Sequence, residues 1–574
     1  MVCTTSVAVL LILVITLVTC QDCRCIPGDS CWPSSSDWAL LNQTVQGRLI
    51  ATVPLASPCH EPFYGEAECA VLKQDWPYAQ AHIPSSSSVL APLAQNQSCD
   101  PFTPPESPCR LGNYPAYAVN ASDANDVAAT LRFARERNIR LIIKSTGHDL
   151  LGKSSGAGSL SIWMHSFQNI TFVESYQGNN TYNEYHGPAA RIEPGVLTYQ
   201  AIEAAQEVGL RVVSGTCTTV ALGGGYIQGG GHSILSSEYG LAADNVLEWD
   251  IVTAEGQRLT ATPFQNDEIY WALSGGGPGV FAVVLSVTVK AFSDGVLVGA
   301  GLTFNMTSAP SEDAFWSAIE AFHTSMPTWL QQNATVGYVL AGGILTVQPV
   351  TLPSESVDVA SNLIAPLLST LTALEIPYTY NITAFPTFLD LYSTYYGPLP
   401  YGPYGASEIQ VSRLLPYSTI MDKGETNALM EVYRNITALD SSLWIVGTAL
   451  SLPRTPSAAP SNAVLPAWRD AAIHQMIVAI WDWEIEWQAN LKKQDILINK
   501  ALPMLQQLSP GSGTYMNEGN SDQADWKDAF YGDNYERLKK IKEKWDPSSV
   551  FYTHTGVGSE DWGLDVEGRL CKIE

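Results

Sequence analysis

Apolar positions follow two rhythms along this chain, and the places where the rhythm changes mark its organisation. After Ser122, a good helix N-cap, DANDVAATLRFARERN sets Val127, Leu131 and Ala134 at helical spacing, and IRLIIK follows with the short apolar character of a strand. The same order recurs at YQAIEAAQEVG and LRVVSG. Helix and strand in alternation predict an α/β lobe over 110–292. From about Ser293 the texture shifts. SEDAFWSAIEAFHTSM reads as an amphipathic helix, ATVGYVLAGGILTVQPV as strands and DVASNLIAPLLSTLTAL as a second helix, which predicts a separate α+β lobe over 293–510. Residues 21–109 are rich in Cys, Pro and Ser with no sustained period and read as a stapled cap, and 511–574 forms a C-terminal segment.

Within the first lobe lie two glycine-rich loops, KSTGHDLLGKSSGAG with His148 and SGTCTTVALGGGYIQGGGHS with Cys217. Glycine accepts positive φ and lets backbone approach a ligand with no Cβ in the way, so two such loops predict a cradle for a flat, phosphate-bearing molecule. Two other glycine patterns are decoys. Gly277, Gly279 and Ala282 spell G-x-G-x-x-A, but NDEIYWAL before them looks helical and FAVVLSVTVK after them looks like a strand, the reverse of a dinucleotide fingerprint. Gly152, Ser154 and Gly156 spell the G-x-S-x-G of a hydrolase elbow, yet SLSIWM after them alternates like a strand where an elbow needs a helix. A nucleophilic Ser154 stays as the rival from another enzyme class.

Composition narrows the partners. At 574 residues the chain is long enough for two unequal cores, and its net charge of −26 with a pI near 4.6 disfavours nucleic acid and anionic membranes. Val7 to Val18 is an apolar run shorter than the ~20 residues of a spanning helix, so residues 1–20 read as a secretory signal. Of the 11 cysteines, Cys3 and Cys20 would leave with it. Cys23, Cys25, Cys31, Cys59, Cys69, Cys99, Cys109 and Cys571 are then candidates for four disulfides of open connectivity, and Cys217 is left over. Nine N-x-S/T sequons, at Asn42, Asn96, Asn120, Asn169, Asn179, Asn305, Asn333, Asn381 and Asn435, point to the same exported, glycosylated class. No metal-ligand pattern is evident.

Thr146, Gly147, His148 and Asp149, with GTCTTV, GGGH, YGLAADNV, WALSGGG, SRLLP and YGDNYERLKKIKEKWDP, carry a resemblance to the berberine-bridge-enzyme-like branch of the vanillyl-alcohol-oxidase flavoproteins, nearest to its secreted fungal members. The motifs occur in the family's order over most of the chain after about residue 110. The resemblance implies an α+β fold: an α/β FAD-binding lobe of PCMH type plus a substrate lobe with an antiparallel sheet backed by helices. It implies FAD bonded covalently through His148 to the 8α-methyl carbon and through Cys217 to C6. Ser145, Thr146, Gly147, Asp149, Gly152 and Ser154 would wrap the pyrophosphate, and Gly240, Asp244, Asn245 and Val246, with Gly275 to Gly277, would line the adenine and ribose side. Gly223, Gly229 and Gly230 count with the cofactor-binding backbone. The chain departs from the family at Pro278, Val280 and Ala282, where Gly, Asn and Gly are more frequent.

By the same resemblance Val220 admits dioxygen, Asn534 orients the flavin or its closing loop, and Tyr515 in TYMNEG abstracts the substrate's hydroxyl proton. An ordinary tyrosine titrates at ~10, so that role requires a site that stabilises phenolate. Tyr392, Tyr395, Tyr396, Tyr401 and Tyr404 could stack on a substrate or simply pack on their own lobe. The implied function is a secreted, monomeric oxidase that passes hydride from an alcohol-type carbon of a small molecule to flavin N5 and then electrons to dioxygen, giving hydrogen peroxide. An oxidative cyclase or dehydrogenase of a biosynthetic pathway is the alternative, and a non-catalytic flavin-binding protein a further one.

Overall fold

The computed structural model describes residues 23–177, 185–353, 356–402, 407–453 and 462–573. The expected signal segment, the Asn179 sequon and Tyr404 lie outside the described residues.

Helices and sheets are mixed, as expected for an α+β protein. The first lobe holds two sheets. In the smaller, Tyr117–Asn120, Leu160–Trp163 and Leu141–Lys144 run parallel, and Leu49–Ala51 pairs antiparallel on the outside. Its helix Ala124–Glu136 buries Val127, Leu131 and Ala134 as the spacing predicts. The N-cap, however, is Asp123, whose side chain accepts from the backbone N–H of Asn125 and Asp126, while the Ser122 hydroxyl donates to Asp126. The larger sheet, in the order Ile170–Val173, Ala189–Ile192, Val283–Lys290, Val246–Val252 and Arg258–Ala261, is antiparallel throughout. The strand expected at LRVVSG shrinks to Leu210–Arg211 and pairs only with Phe292–Ser293. Among the strands described, helix-strand alternation therefore yields parallel ladders only in the small sheet. Both decoys behave as expected: helix Asp267–Leu273 precedes the G-x-G-x-x-A glycines and strand Val283–Lys290 follows them, and strand Leu160–Trp163 follows Gly156.

A seven-stranded antiparallel sheet forms the second lobe, in the order Tyr378–Phe385, Leu297–Asn305, Ile344–Pro353, Thr335–Ala341, Trp444–Ala449, Ala471–Ile480 and Glu408–Pro416. Side chains alternate between its faces. Val336, Tyr338, Leu340, Ile445, Ala449, Ile473 and Ile477 pack against the helices Glu312–Leu330, Val357–Ala373 and Lys423–Leu439 in one apolar core. Val339, Trp444, Val446, Thr448, Met476 and Val478 belong to the other face, which turns to the first lobe and lines a cavity. Cross-strand pairing places Trp444 beside Val478, and Val446 beside both Met476 and Val339.

Four disulfides join the eight predicted cysteines, as Cys25–Cys31, Cys59–Cys69, Cys99–Cys109 and Cys23–Cys571, and Cys217 is free. The Cys-rich segment packs on the His148 loop: Leu90 N–H donates to the Gly147 carbonyl at 2.9 Å, and the buried Lys144 ammonium donates to Ser85 O at 2.8 Å. Among the described residues no helix is long and apolar enough to cross a membrane.

Candidate active site

One cavity lies between the two glycine loops and the open face of the seven-stranded sheet, with about 410 Å³ available to the centres of water-sized molecules. It gathers residues far apart in sequence. Ser145, Thr146, Gly147, His148, Asp149 and Ser154 come from the first loop, Cys217 and Val220 from the second, and Tyr515, Asn517 and Glu518 from the C-terminal segment.

The loop after Leu141–Lys144 turns at Gly147, φ +86°, where a Cβ would stand 2.9 Å from the Ser88 carbonyl oxygen. Only glycine fits that close approach without strain. The turn delivers His148, whose Nε2 lies 2.6 Å from the Thr219 hydroxyl, and Cys217 Sγ lies 3.7 Å from the same oxygen. Thr219 therefore links the two side chains. Burial first, then nearby His82 and Lys144, pulls His148 down to about 4, so its ring is neutral above that pH. Burial raises the Cys217 thiol, against the opposing pull of hydrogen bonds from Thr219 and Val220.

The walls suit a flavin nucleotide. Ser154, Gln228 and Thr553 line the cavity, and their buried Oγ, Oε1 and Oγ1 atoms have no hydrogen-bond partner among the described residues. Buried polar atoms are nearly always paired, so these three fit a ligand that offers many donors and acceptors. Lys153 adds a cation suited to a phosphate. The Ser154 hydroxyl also has no hydrogen-bonded base among the described residues, which leaves the hydrolase rival without an activated nucleophile.

The remaining expected residues are not among those that line the cavity. Gly152, φ +76°, shapes the first loop. A Cβ on Gly223 would stand 3.0 Å from the Glu193 carbonyl oxygen, one on Gly229 would run into the Asn517 amide, and Gly230 backs onto Val464 and Tyr515. Gly240 ends the helix Ser236–Tyr239 with φ +81°. Asp244 accepts two hydrogen bonds from Arg469, at 2.6 and 2.8 Å, and one from Asn462. Asn245 donates to the Tyr239 and Leu241 carbonyls, Val246 accepts from the Tyr270 hydroxyl, and Asn534 donates to the Ala463 and Val464 carbonyls. Of the three departures from the family pattern, Pro278 and Ala282 line the cavity and Val280 does not.

Of the tyrosine cluster, Tyr396 reaches the cavity, whereas Tyr392 donates to the Gly215 and Thr216 carbonyls and so props the Cys217 loop. Tyr401 is exposed. Sequence reasoning missed His232, Glu408 and the aliphatic wall of Val446, Met476 and Val478, all of which line the cavity. The histidine of GGGH was visible as a motif but carried no role.

Glu518 sits among these, its carboxylate 3.2 Å from His232 Nε2 and 3.3 Å from His474 Nδ1. Asn517 Nδ2 donates to the Tyr515 hydroxyl at 2.9 Å and also to the Gly225 and Tyr226 carbonyls. Burial, then the Glu518 charge, pushes the Tyr515 phenol well above its ordinary range, against the opposing Asn517 bond. Glu408 is raised to about 7 by burial and by Glu518.

Comparison with known proteins shows the family. The family described as "FAD binding domain" matches residues 115–262, and "Berberine and berberine like" matches 514–558. A "VAO-type flavoprotein oxidase" of Thermothelomyces thermophilus is 43% identical over 554 residues, covering 96% of this chain and 95% of that protein. A "bifunctional decalin synthase" of Penicillium decumbens is 42% identical over 556 residues, covering 96% of each. The crystal structure of a VAO-type flavoprotein from Myceliophthora thermophila superposes with a TM-score of 0.91 at 42% identity, covering 96% of this chain and 100% of that one.

Proposed function

Because the chain belongs to the VAO-type, berberine-bridge-like family of FAD-linked oxidoreductases, we propose that it oxidises a hydroxyl-bearing carbon of an apolar small molecule on FAD held covalently by His148 and Cys217. The observation that carries this reading is the meeting of those two side chains at Thr219, on the wall of a cavity whose opposite wall is Trp444, Val446, Met476 and Val478.

A bound flavin supplies a two-electron acceptor for the hydrogen of the carbinol carbon and hands those electrons on to dioxygen, giving hydrogen peroxide. The protein supplies the attachment and the fit. A neutral His148, oriented through Nε2 by Thr219, keeps its other nitrogen for bonding to carbon, and Cys217 offers a sulfur from the facing loop. Val220, on the cavity wall in the Cys217 loop, supports access for dioxygen. The sheet wall favours an apolar or aromatic substrate over an oligosaccharide. Its polar side chains are few, chiefly Gln348, Thr448 and Glu408, whereas a sugar's many hydroxyls call for a larger matching set of partners. The same wall suits a polycyclic intermediate, so an oxidative cyclase or dehydrogenase is the second reading, supported by the decalin synthase among the relatives. Four disulfides and nine sequons support an exported, glycosylated enzyme, and we take it to be monomeric.

Purified protein is expected to be yellow, with the colour remaining on the polypeptide after acid precipitation. His148→Ala and Cys217→Ser should each leave one covalent link and remove the other, read by the mass of the flavinylated peptides. Unchanged attachment in both variants would overturn the assignment. Peroxide release should follow addition of benzylic and allylic alcohols, and a response to oligosaccharides alone would overturn the substrate class.

A further inference from the structure

We propose that Glu518, and not Tyr515, takes the proton from the substrate hydroxyl, with its carboxylate aimed by the imidazoles of His232 and His474. The proposal rests on the oxidoreductase reading above and deepens it. Three separate elements converge to build the arrangement: His232 ends the GGGH loop, His474 lies on the cavity face of strand Ala471–Ile480, and Glu518 follows Tyr515 in the C-terminal segment. The Glu518 side chain keeps 27% of its surface accessible and lines the cavity.

Hydrogen placement follows from the nitrogens that do not touch Glu518. His232 Nδ1 and His474 Nε2 are buried and have no hydrogen-bond partner among the described residues. An orphaned buried N–H is rarer and costlier than an orphaned lone pair, so each ring carries its hydrogen on the Glu518 side and donates it to the carboxylate. A metal ion shared by the same three groups would need the reverse tautomers, with both N–H groups facing places that hold no acceptor, whereas metal-bound imidazoles usually donate their second N–H to one.

Five titratable groups face Glu518: His232, His474, Tyr515, Tyr226 and Glu408. Burial raises Glu518, but His232 and His474 outweigh it and hold the group below the usual carboxylate range. His474 is lowered to about 3, by burial first, and stays neutral. Burial and then the Glu518 charge raise Tyr515 and outweigh the opposing hydrogen bonds of Asn517 and Gly231, so it keeps its proton. In the reaction the substrate O–H bond breaks, its proton passes to a Glu518 oxygen, and the electron pair left on oxygen forms the carbonyl. The C–H hydrogen would leave with its own electron pair, for which FAD, when bound, would be the two-electron acceptor, and Glu518 afterwards releases its proton to water.

The test uses 4-nitrophenol, which is yellow only as phenolate, bound to the intact holoenzyme and read by difference spectra. A phenolate beside a second anion is disfavoured, so a Glu518 carboxylate should bind the neutral phenol and bleach the yellow band. Glu518→Gln should abolish the bleaching and weaken binding of the neutral form roughly tenfold or more. Tyr515→Phe should retain it. His474→Phe, which removes one donor, should move the pH at which bleaching is lost upward. Unaltered bleaching in Glu518→Gln, loss of it in Tyr515→Phe, or no bleaching by the wild-type protein would each overturn the proposal. So would stoichiometric zinc binding that disappears in Glu518→Gln. A colourless wild-type protein would instead strike the flavin reading, while the bleaching result still decides the role of Glu518.

Discussion

Thr219 holds a single hydroxyl between an imidazole and a thiol, and it is the residue whose loss should separate attachment from binding. Thr219→Val keeps the volume and removes the shared oxygen. Covalent loading should then slow by about tenfold, the scale of one buried hydrogen bond, while the fold is kept. In-gel flavin fluorescence over time checks this. Glu408 gives a pH prediction with a definite sign. Its folded value near 7 lies above the ordinary carboxyl value of 4.5, so the stability it contributes is complete below about 4.5 and is lost as pH rises through about 7. Glu408→Gln should flatten that loss, by about 1 to 3 kcal/mol, in melting curves taken across the same window. At this scale the sequence was only partly legible. His148 and Cys217 stood out through their glycine loops and the family motifs, but His232 and His474 are 242 positions apart, and only the fold brings both to Glu518.

Helices declared themselves better than strands. Glu312–Leu330 and Val357–Ala373 fall where their apolar spacing put them, because each hides one stripe and exposes the rest. Ala471–Ile480 does not reveal its faces, since AAIHQMIVAI is apolar on both sides: one side packs on helices and the other lines the cavity. Such a strand loses the alternation that tells core from site. The two-residue strand at Leu210–Arg211 was overestimated for a related reason, as a short apolar run has no period to end it. Element contact also supplies a mutational test. Gly229→Ala would drive a methyl into the Asn517 side chain and dislodge its bonds to Tyr515, Gly225 and Tyr226. We expect a stability loss of about 1 to 2 kcal/mol in denaturant unfolding, with the C-terminal segment gaining hydrogen exchange at 515–518.

The two lobes are pinned across the molecule by Asp244, whose carboxylate meets Arg469 just before the strand that carries His474. Arg469→Ala leaves a buried carboxylate with Asn462 and the Leu241 N–H as its remaining partners. Because the Arg469 side chain is 43% exposed, the cost should fall between that of a surface pair and a buried one, about 2 kcal/mol, measurable as a lowered melting temperature. The Cys23–Cys571 bridge acts at the same scale, closing a covalent ring across 548 positions. A protease that nicks any surface loop within that ring opens it without releasing a fragment, so a cleaved enzyme should migrate as one species until thiol is added. Damage to the main chain inside that ring need not mean disassembly.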